Sequence, residues 1–196
     1  MIEFVEDTHT YLCDGVIIPS VSELIRFKFP NAYKGVPDYI LQKKATYGTE
    51  IHRRIEEFVR GEIEIEDIED ANERDAVEQF EILRKTWAFY VKDMEQIVCY
   101  DNRFCGTYDI RTQDDLLIDI KTTSKLHEDW LRWQLGLYYL AAGIKKDFGF
   151  VMWFPKGKMA EVRQINVASH EECIELIDEY EKAKFNSTEG EEMPVL

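Results

Sequence analysis

The spacing of apolar positions along this chain switches between steps of two and steps of three or four. Alternation over residues 2–5 and 10–18 predicts two short strands, the second turning at Asp14-Gly15. Pro19-Ser20 ends this hairpin, and Ser20 with Glu23 fits a capping box that opens a short helix through Phe27. Residues 29–37 read as a loop in which aromatics and bases interleave. From Tyr39 to Arg60, Leu41, Ala45, Gly48, Ile51, Ile55, Phe58 and Val59 recur at helical steps, and Gly61 supplies a stop. Glu62 to Asn72 is acidic and reads as a solvated loop or helix start. Val77, Phe80, Leu83, Trp87 and Tyr90 then predict an amphipathic helix over Ala76–Val91.

Beyond that point the period falls to two. Glu95–Tyr100, Phe104–Thr112 and Leu116–Thr122 read as three successive strands, with turns at Asp101-Asn102 and Gln113-Asp114-Asp115. Such short turns make neighbours antiparallel. Glu128–Ala142, rich in tryptophan, leucine and tyrosine, predicts a third long helix closed by Gly143. Phe148–Phe154 is a continuous apolar run of strand length, as a buried strand requires, and Met159–Val167 is a further strand. Ser169 with Glu172 opens a last helix to about Phe185. A helix between the meander and Phe148–Phe154 permits a parallel crossover. The predicted class is α/β: a central mixed sheet, an antiparallel meander plus one parallel crossover strand, flanked by helices. One domain over residues 1–196 is expected, with an N-terminal hairpin and helix extension (1–37) and a frayed acidic tail (187–196).

Composition narrows the class of protein. With 45% hydrophobic and 13% aromatic residues the chain can fill a core, which excludes a disordered protein. No apolar run approaches the roughly 20 residues that span a bilayer, and the start MIEFVEDTHTYL lacks a basic segment followed by an apolar block. A cytoplasmic protein with no membrane partner is expected. Its four cysteines, Cys13, Cys99, Cys105 and Cys173, form no C-x-x-C pair and are expected as reduced, buried thiols. The net charge of −15 opposes a diffuse nucleic-acid surface. The charge is segregated, however: Val21–Arg54 carries seven bases against three acids, while acids crowd Glu56–Glu81 and Glu171–Glu192.

Candidate chemistry begins with Asp119-Ile120-Lys121, set inside the apolar strand that starts at Leu116. Alternation puts Asp119 and Lys121 on one face and Ile118 and Ile120 on the other. A charge within such a strand needs a partner or a metal; a cross-strand ion pair is the simplest structural account. Asp109, on the preceding strand, points across the same hairpin, and carboxylates on adjacent strands approach within about 5 Å. A hard divalent cation resolves their repulsion. Glu95 on the first strand of the meander adds a third acid. His52 lies beside Ile51 and Ile55 on a helix, where a histidine is ordinarily a boundary residue. Gln134 and Tyr138 are four apart and share a helix face. Lys43, Lys44, Arg53 and Arg54, taken alone, are surface charges.

In chain order stand Gly48-Thr49-x-x-His52, Glu95, Gly106-x-x-Asp109, Asp119-x-Lys121 and Gln134-x-x-x-Tyr138. The set resembles the PD-(D/E)XK nuclease superfamily, and within it the RecB-type branch that includes phage exonucleases and CRISPR-adaptation nucleases. The resemblance spans roughly Tyr11 to Phe154, and the predicted element order matches that family's restriction-endonuclease-like core. It implies Mg²⁺- or Mn²⁺-dependent hydrolysis of DNA phosphodiesters, by an exonuclease acting on ends in recombination or repair. The ion would be held by His52, Asp109, Asp119 and the carbonyl of Ile120, with Glu95 binding a second ion or its water. Lys121 would orient the attacking water, and Gln134 and Tyr138 would hold the strand or brace Lys121. Lys43, Lys44, Arg53 and Arg54 would track phosphates, and Tyr33 or Tyr47 would stack on a base. Some relatives carry a four-cysteine iron–sulfur cluster; only Cys173 stands downstream here, so none is expected. The implied partners are DNA and a recombination or helicase chain, a separate one because no P-loop is present. The alternative is a catalytically idle domain of the same fold that holds nucleic acid or a protein.

Overall fold

The period-two segments build two sheets. The computed structural model describes residues 2–5, 8, 10–30 and 37–189, with the side chains at 38, 40–42, 44 and 187–189 outside that description. Strands β1 (Ile2–Val5), β2 (Thr10–Cys13) and β3 (Val16–Ile18) form an antiparallel N-terminal sheet in chain order. Asp14 and Gly15 turn β2 into β3 with φ of 49° and 80°, the backbone of a tight hairpin turn. Ser20 caps α1 (Val21–Lys28), its Oγ accepting the Glu23 N–H at 3.1 Å.

Helices α2 (Asp38–Val59) and α3 (Ala71–Thr86) follow, separated by a single 3₁₀ turn at Ile65–Asp67. The sequence places α3 over Ala76–Val91, and the structure corrects both ends. Asp70 is the cap, accepting the N–H groups of Asn72 and Glu73, so the helix has a polar first turn that an apolar pattern does not register. At the other end Ala88 takes φ 51°, which stops the helix. Trp87 and Tyr90, counted in the apolar stripe, lie beyond it and are 47% and 61% exposed.

The second sheet has the order β4 (Val91–Tyr100), β5 (Phe104–Thr112), β6 (Leu117–Lys121), β7 (Phe148–Trp153) and β8 (Glu161–Asn166). All its pairs are antiparallel except β6–β7, which α4 (Glu128–Ala141) joins by a crossover. The fold is therefore α/β with a mixed sheet between helices, as the sequence predicts. Helices α1, α4 and α5 (His170–Glu189) pack one face around Leu135, Tyr139 and Ile177. Helices α2 and α3 pack the other around Ile51, Phe80 and Ile120. The N-terminal sheet rests on the β4–β5 hairpin through Tyr11, Cys13, Ile18 and Cys105. Among the described residues no helix is long and apolar enough to cross a membrane.

The cysteine expectation is also corrected. Cys99 and Cys105 are disulfide-bonded, while Cys13 and Cys173 are free and buried. Their spacing means nothing along the chain. The turn at Asp101-Asn102 pairs Tyr100 with Phe104, and the next pair outward is Cys99 with Cys105, Cα atoms 4.1 Å apart.

Candidate metal centre in a strand fork

Strands β5 and β6 pair at Ile110–Ile118 and Arg111–Leu117 and then part. The fork exposes the main chain of Ile120, and two side chains take the place of the missing strand. Asp109 Oδ2 accepts the Ile120 N–H at 2.5 Å. The imidazole Nε2–H of His52, from α2, donates to the Ile120 carbonyl at 3.1 Å. Satisfying both backbone groups fixes both side chains.

A second irregularity turns Asp109 into the fork. Phe104, Tyr108 and Val98 pack toward α4, but Ile110 and Met94, also even-numbered, pack toward α2 and α3. Regular alternation keeps all five on one face. The pleat changes phase between the Met94–Ile110 and Gln96–Tyr108 pairs, which flank Glu95 on one strand and Asp109 on the other. Glu95 takes φ 49°, the left-handed region a side chain avoids at a cost of about 1 kcal/mol. Such distortions re-aim side chains beside functional sites.

The result is a cluster of His52, Glu95 and Asp109, whose ligand atoms lie within 4.8 Å of one another. His52 Nδ1 is 3.6 Å from both Glu95 Oε1 and Asp109 Oδ1, beyond hydrogen-bond reach. Glu95 Oε1 is buried without a hydrogen-bond partner. On β6 beside them, Asp119 is 2% exposed. Its Oδ2 lies 2.6 Å from Lys121 Nζ without hydrogen-bond geometry, and its Oδ1 is buried with no hydrogen-bond partner.

The electrostatics follow from this crowding. Burial raises the carboxyls of Asp109 and Asp119 above their ordinary range, and His52 and Lys121 only partly offset it. Burial also disfavours the imidazolium of His52, but the Asp109 and Glu95 carboxylates outweigh it and push that group up to about 9. Tyr138 is raised well above its ordinary value by burial and by the nearby Asp109. It accepts a hydrogen bond from Gln134 Nε2 at 3.3 Å. Gly106 makes room for that ring: a Cβ there would stand 2.7 Å from Tyr138 Cε1 and from Val21 Cγ2.

The motifs spread along the sequence are thus neighbours, with differences of detail. The metal-like cluster contains Glu95 and excludes Asp119, whose carboxylate is turned to Lys121. The Ile120 carbonyl, expected as a ligand, accepts from His52. Arg53 is tied to Glu50 and Glu57, and Arg54 to Glu57 and Glu73, linking α2 to α3. Lys43 is exposed on α2; the side chain of Lys44 and all of Tyr33 lie outside the described residues. Tyr47 is half-buried beneath Lys156, 5.1 Å from its ring centre. Sequence reading missed Tyr11, whose hydroxyl bonds Thr107 Oγ1 at 2.8 Å. Only the alternation of β2 pointed to its burial.

One imidazole nitrogen and two carboxylates suit Mg²⁺ or Mn²⁺. Orphaned buried oxygens on Glu95 and Asp119 are what a cation would satisfy. Among known proteins, no family model matches this chain, and no curated protein matches it. One solved structure similar to it is described as "Crystal structure of SSO0001". The TM-score is 0.46 at 13% identity, over 85% of this chain and 74% of that one.

Proposed function

We propose that this chain is a metal-dependent deoxyribonuclease of the PD-(D/E)XK type, hydrolysing DNA phosphodiesters from ends, as part of recombination or repair. The observation that supports the reading best is the half-buried trio His52, Glu95 and Asp109, with the buried Asp119 and with Lys121 beside it. Carboxylates held this close repel unless a cation joins them, and a lysine beside a cation site is arranged for an anionic substrate.

His52, Glu95 and Asp109 would hold the ion, with Asp119 adjoining. A divalent ion held there would supply Lewis acidity toward a water and a phosphoryl oxygen. Lys121 carries a fixed ammonium that offsets charge building on the phosphoryl oxygens and orients the attacking water. Asp119 holds that ammonium in place. Tyr138, locked by Gln134 and by the close approach of Gly106, braces the same face of β5.

The test is a digestion course on end-labelled linear DNA and on circular DNA, with Mg²⁺, with Mn²⁺ and with chelator. Metal-dependent loss of the linear label with the circle intact is the expected result. Intact linear DNA with both metals would reject hydrolysis and leave the idle binding domain.

A further inference from the structure

Two loops leave the sheet at the end where Lys121 lies: residues 122–127 after β6, and residues 154–160 between β7 and β8. They are tied together. Trp153 Nε1–H donates to the Thr123 carbonyl at 2.6 Å, and the Phe154 N–H donates to the Lys121 carbonyl at 2.7 Å. The second loop is also anchored to α3, because the Ala160 N–H donates to Gln79 Oε1. It reverses at Gly157, φ 73°, with the Lys158 N–H bonded to the Pro155 carbonyl at 3.0 Å.

The charge of these loops contrasts with the rest of the chain. Thirty-nine of the 196 residues are acids, yet residues 120–127 and 148–160 contain none and carry Lys121, Lys125, Lys156 and Lys158. Lys125, Lys156 and Lys158 are exposed. Among the described residues none of these three is ion-paired, whereas Arg53, Arg54, Arg103, Arg111 and Arg132 are all tied to acids. Lys156 stands over Tyr47, and Tyr47, Gln79, Phe154, Lys156 and Lys158 line one depression. Asp75 also lines it, its carboxylate accepting from Gln79 Nε2 at 2.7 Å.

We infer that Lys125, Lys156 and Lys158 form a phosphate-binding rim that carries the backbone of a DNA strand past the candidate metal centre. The inference deepens the nuclease reading and rests on it for the choice of DNA. Anchored loops fix the backbone from which the three lysine side chains rise. Loops that carry lysines and no acids of their own let phosphates approach a molecule whose net charge of −15 otherwise repels them, with Asp75 of α3 the acid that lines the same depression. The surface is specific to this end of the sheet; Lys145 and Lys146 lie at the opposite end, before β7.

The experiment measures binding of a fluorescein-labelled oligothymidylate by anisotropy, in Ca²⁺, across a salt series. Each phosphate contact on a single strand contributes about 0.7 to the slope of log K against log salt. The triple variant Lys125→Ala/Lys156→Ala/Lys158→Ala is expected to lose about 2 from that slope and to bind at least about tenfold more weakly. Lys145→Ala/Lys146→Ala should behave as wild type. An unchanged slope in the triple variant, or an equal fall in the control pair, overturns the rim. Hydrolysis of bis(para-nitrophenyl) phosphate with Mn²⁺, a diester too small to reach the rim, should be the same in wild type and the triple variant. Its absence in wild type would count against the nuclease reading while the salt slopes still judge the rim.

Discussion

Strand β6 is bordered by β7 on one side and β5 on the other, and the two borders follow opposite principles. Toward β7 the pairing is continuous from Ile118–Phe150 to Lys121–Trp153, between residues buried almost throughout. Every main-chain group there is consumed by its neighbour. Toward β5 the pairing stops after two residues, and the unpaired main chain of Ile120 is satisfied by Asp109 and His52. A continuous ladder yields stability; an interrupted one leaves sites that only polar side chains can fill, and those side chains become fixed in each other's field. Among the described residues the one buried charged side chain, Asp119, stands where the ladder breaks.

The comparison breaks most sharply on the forked side. Asp119→Ala should lower Mg²⁺-dependent DNA cleavage by about a thousandfold or more and weaken Mn²⁺ binding in calorimetry. Lys121→Ala should lose cleavage by about the same factor but bind Mn²⁺ nearly as before. Near-normal cleavage in either variant would remove the proposed chemistry from the fork. On the continuous side the effect should fall on stability. Met152→Ala, at a fully buried position paired with Ile120, is expected to cost about 2–5 kcal/mol in urea unfolding while the protein that remains folded still binds Mn²⁺.

The pH dependence of the metal-free protein sharpens the contrast further. Asp109, Asp119 and His52 all retain protons in the folded protein that the unfolded chain has released, so stability falls as pH rises. The carboxyl contribution fades from the ordinary carboxylate range upward. That of His52 is fully present below about 6.5, its unfolded value, and is lost as pH rises through about 9. Chelator-treated protein should therefore unfold at lower urea at pH 9 than at pH 6. His52→Ala should flatten that difference, and an unaltered difference would contradict the assignment. The smallest effect concerns the pleat slip. Glu95→Gly relieves the left-handed backbone and one orphaned carboxylate oxygen, so it should gain about 1 kcal/mol in thermal unfolding while weakening Mn²⁺ binding. A loss of stability would show that the slip is set elsewhere.

The parts of the site that were legible in sequence are those whose meaning is local. Asp119 and Lys121 share a face because strand side chains alternate, and Ser20 and Ser169 cap helices as their spacing predicts. His52 was visible as a polar residue on an apolar helix stripe, but its partner is the carbonyl of a strand 68 residues away. The slip at Glu95 was hidden because a period-two pattern carries no sign of its own interruption. The disulfide was hidden for a related reason: Cys99 and Cys105 meet through hairpin register, which the spacing of cysteines alone does not encode.

By itself the sequence determined the order and type of nearly every element, the crossover between β6 and β7, and the set of residues able to do chemistry. These rest on periodicity, turn residues and caps, which act within a few positions of the chain. Tertiary structure alone decided which acids share a cluster, that Asp119 turns to Lys121, and that Arg54 ties α2 to Glu73 of α3 while Arg53 is held by Glu50 and Glu57 of its own helix. Those choices depend on where strands part and on which buried groups find partners, and burial and separation in space are properties of the folded chain.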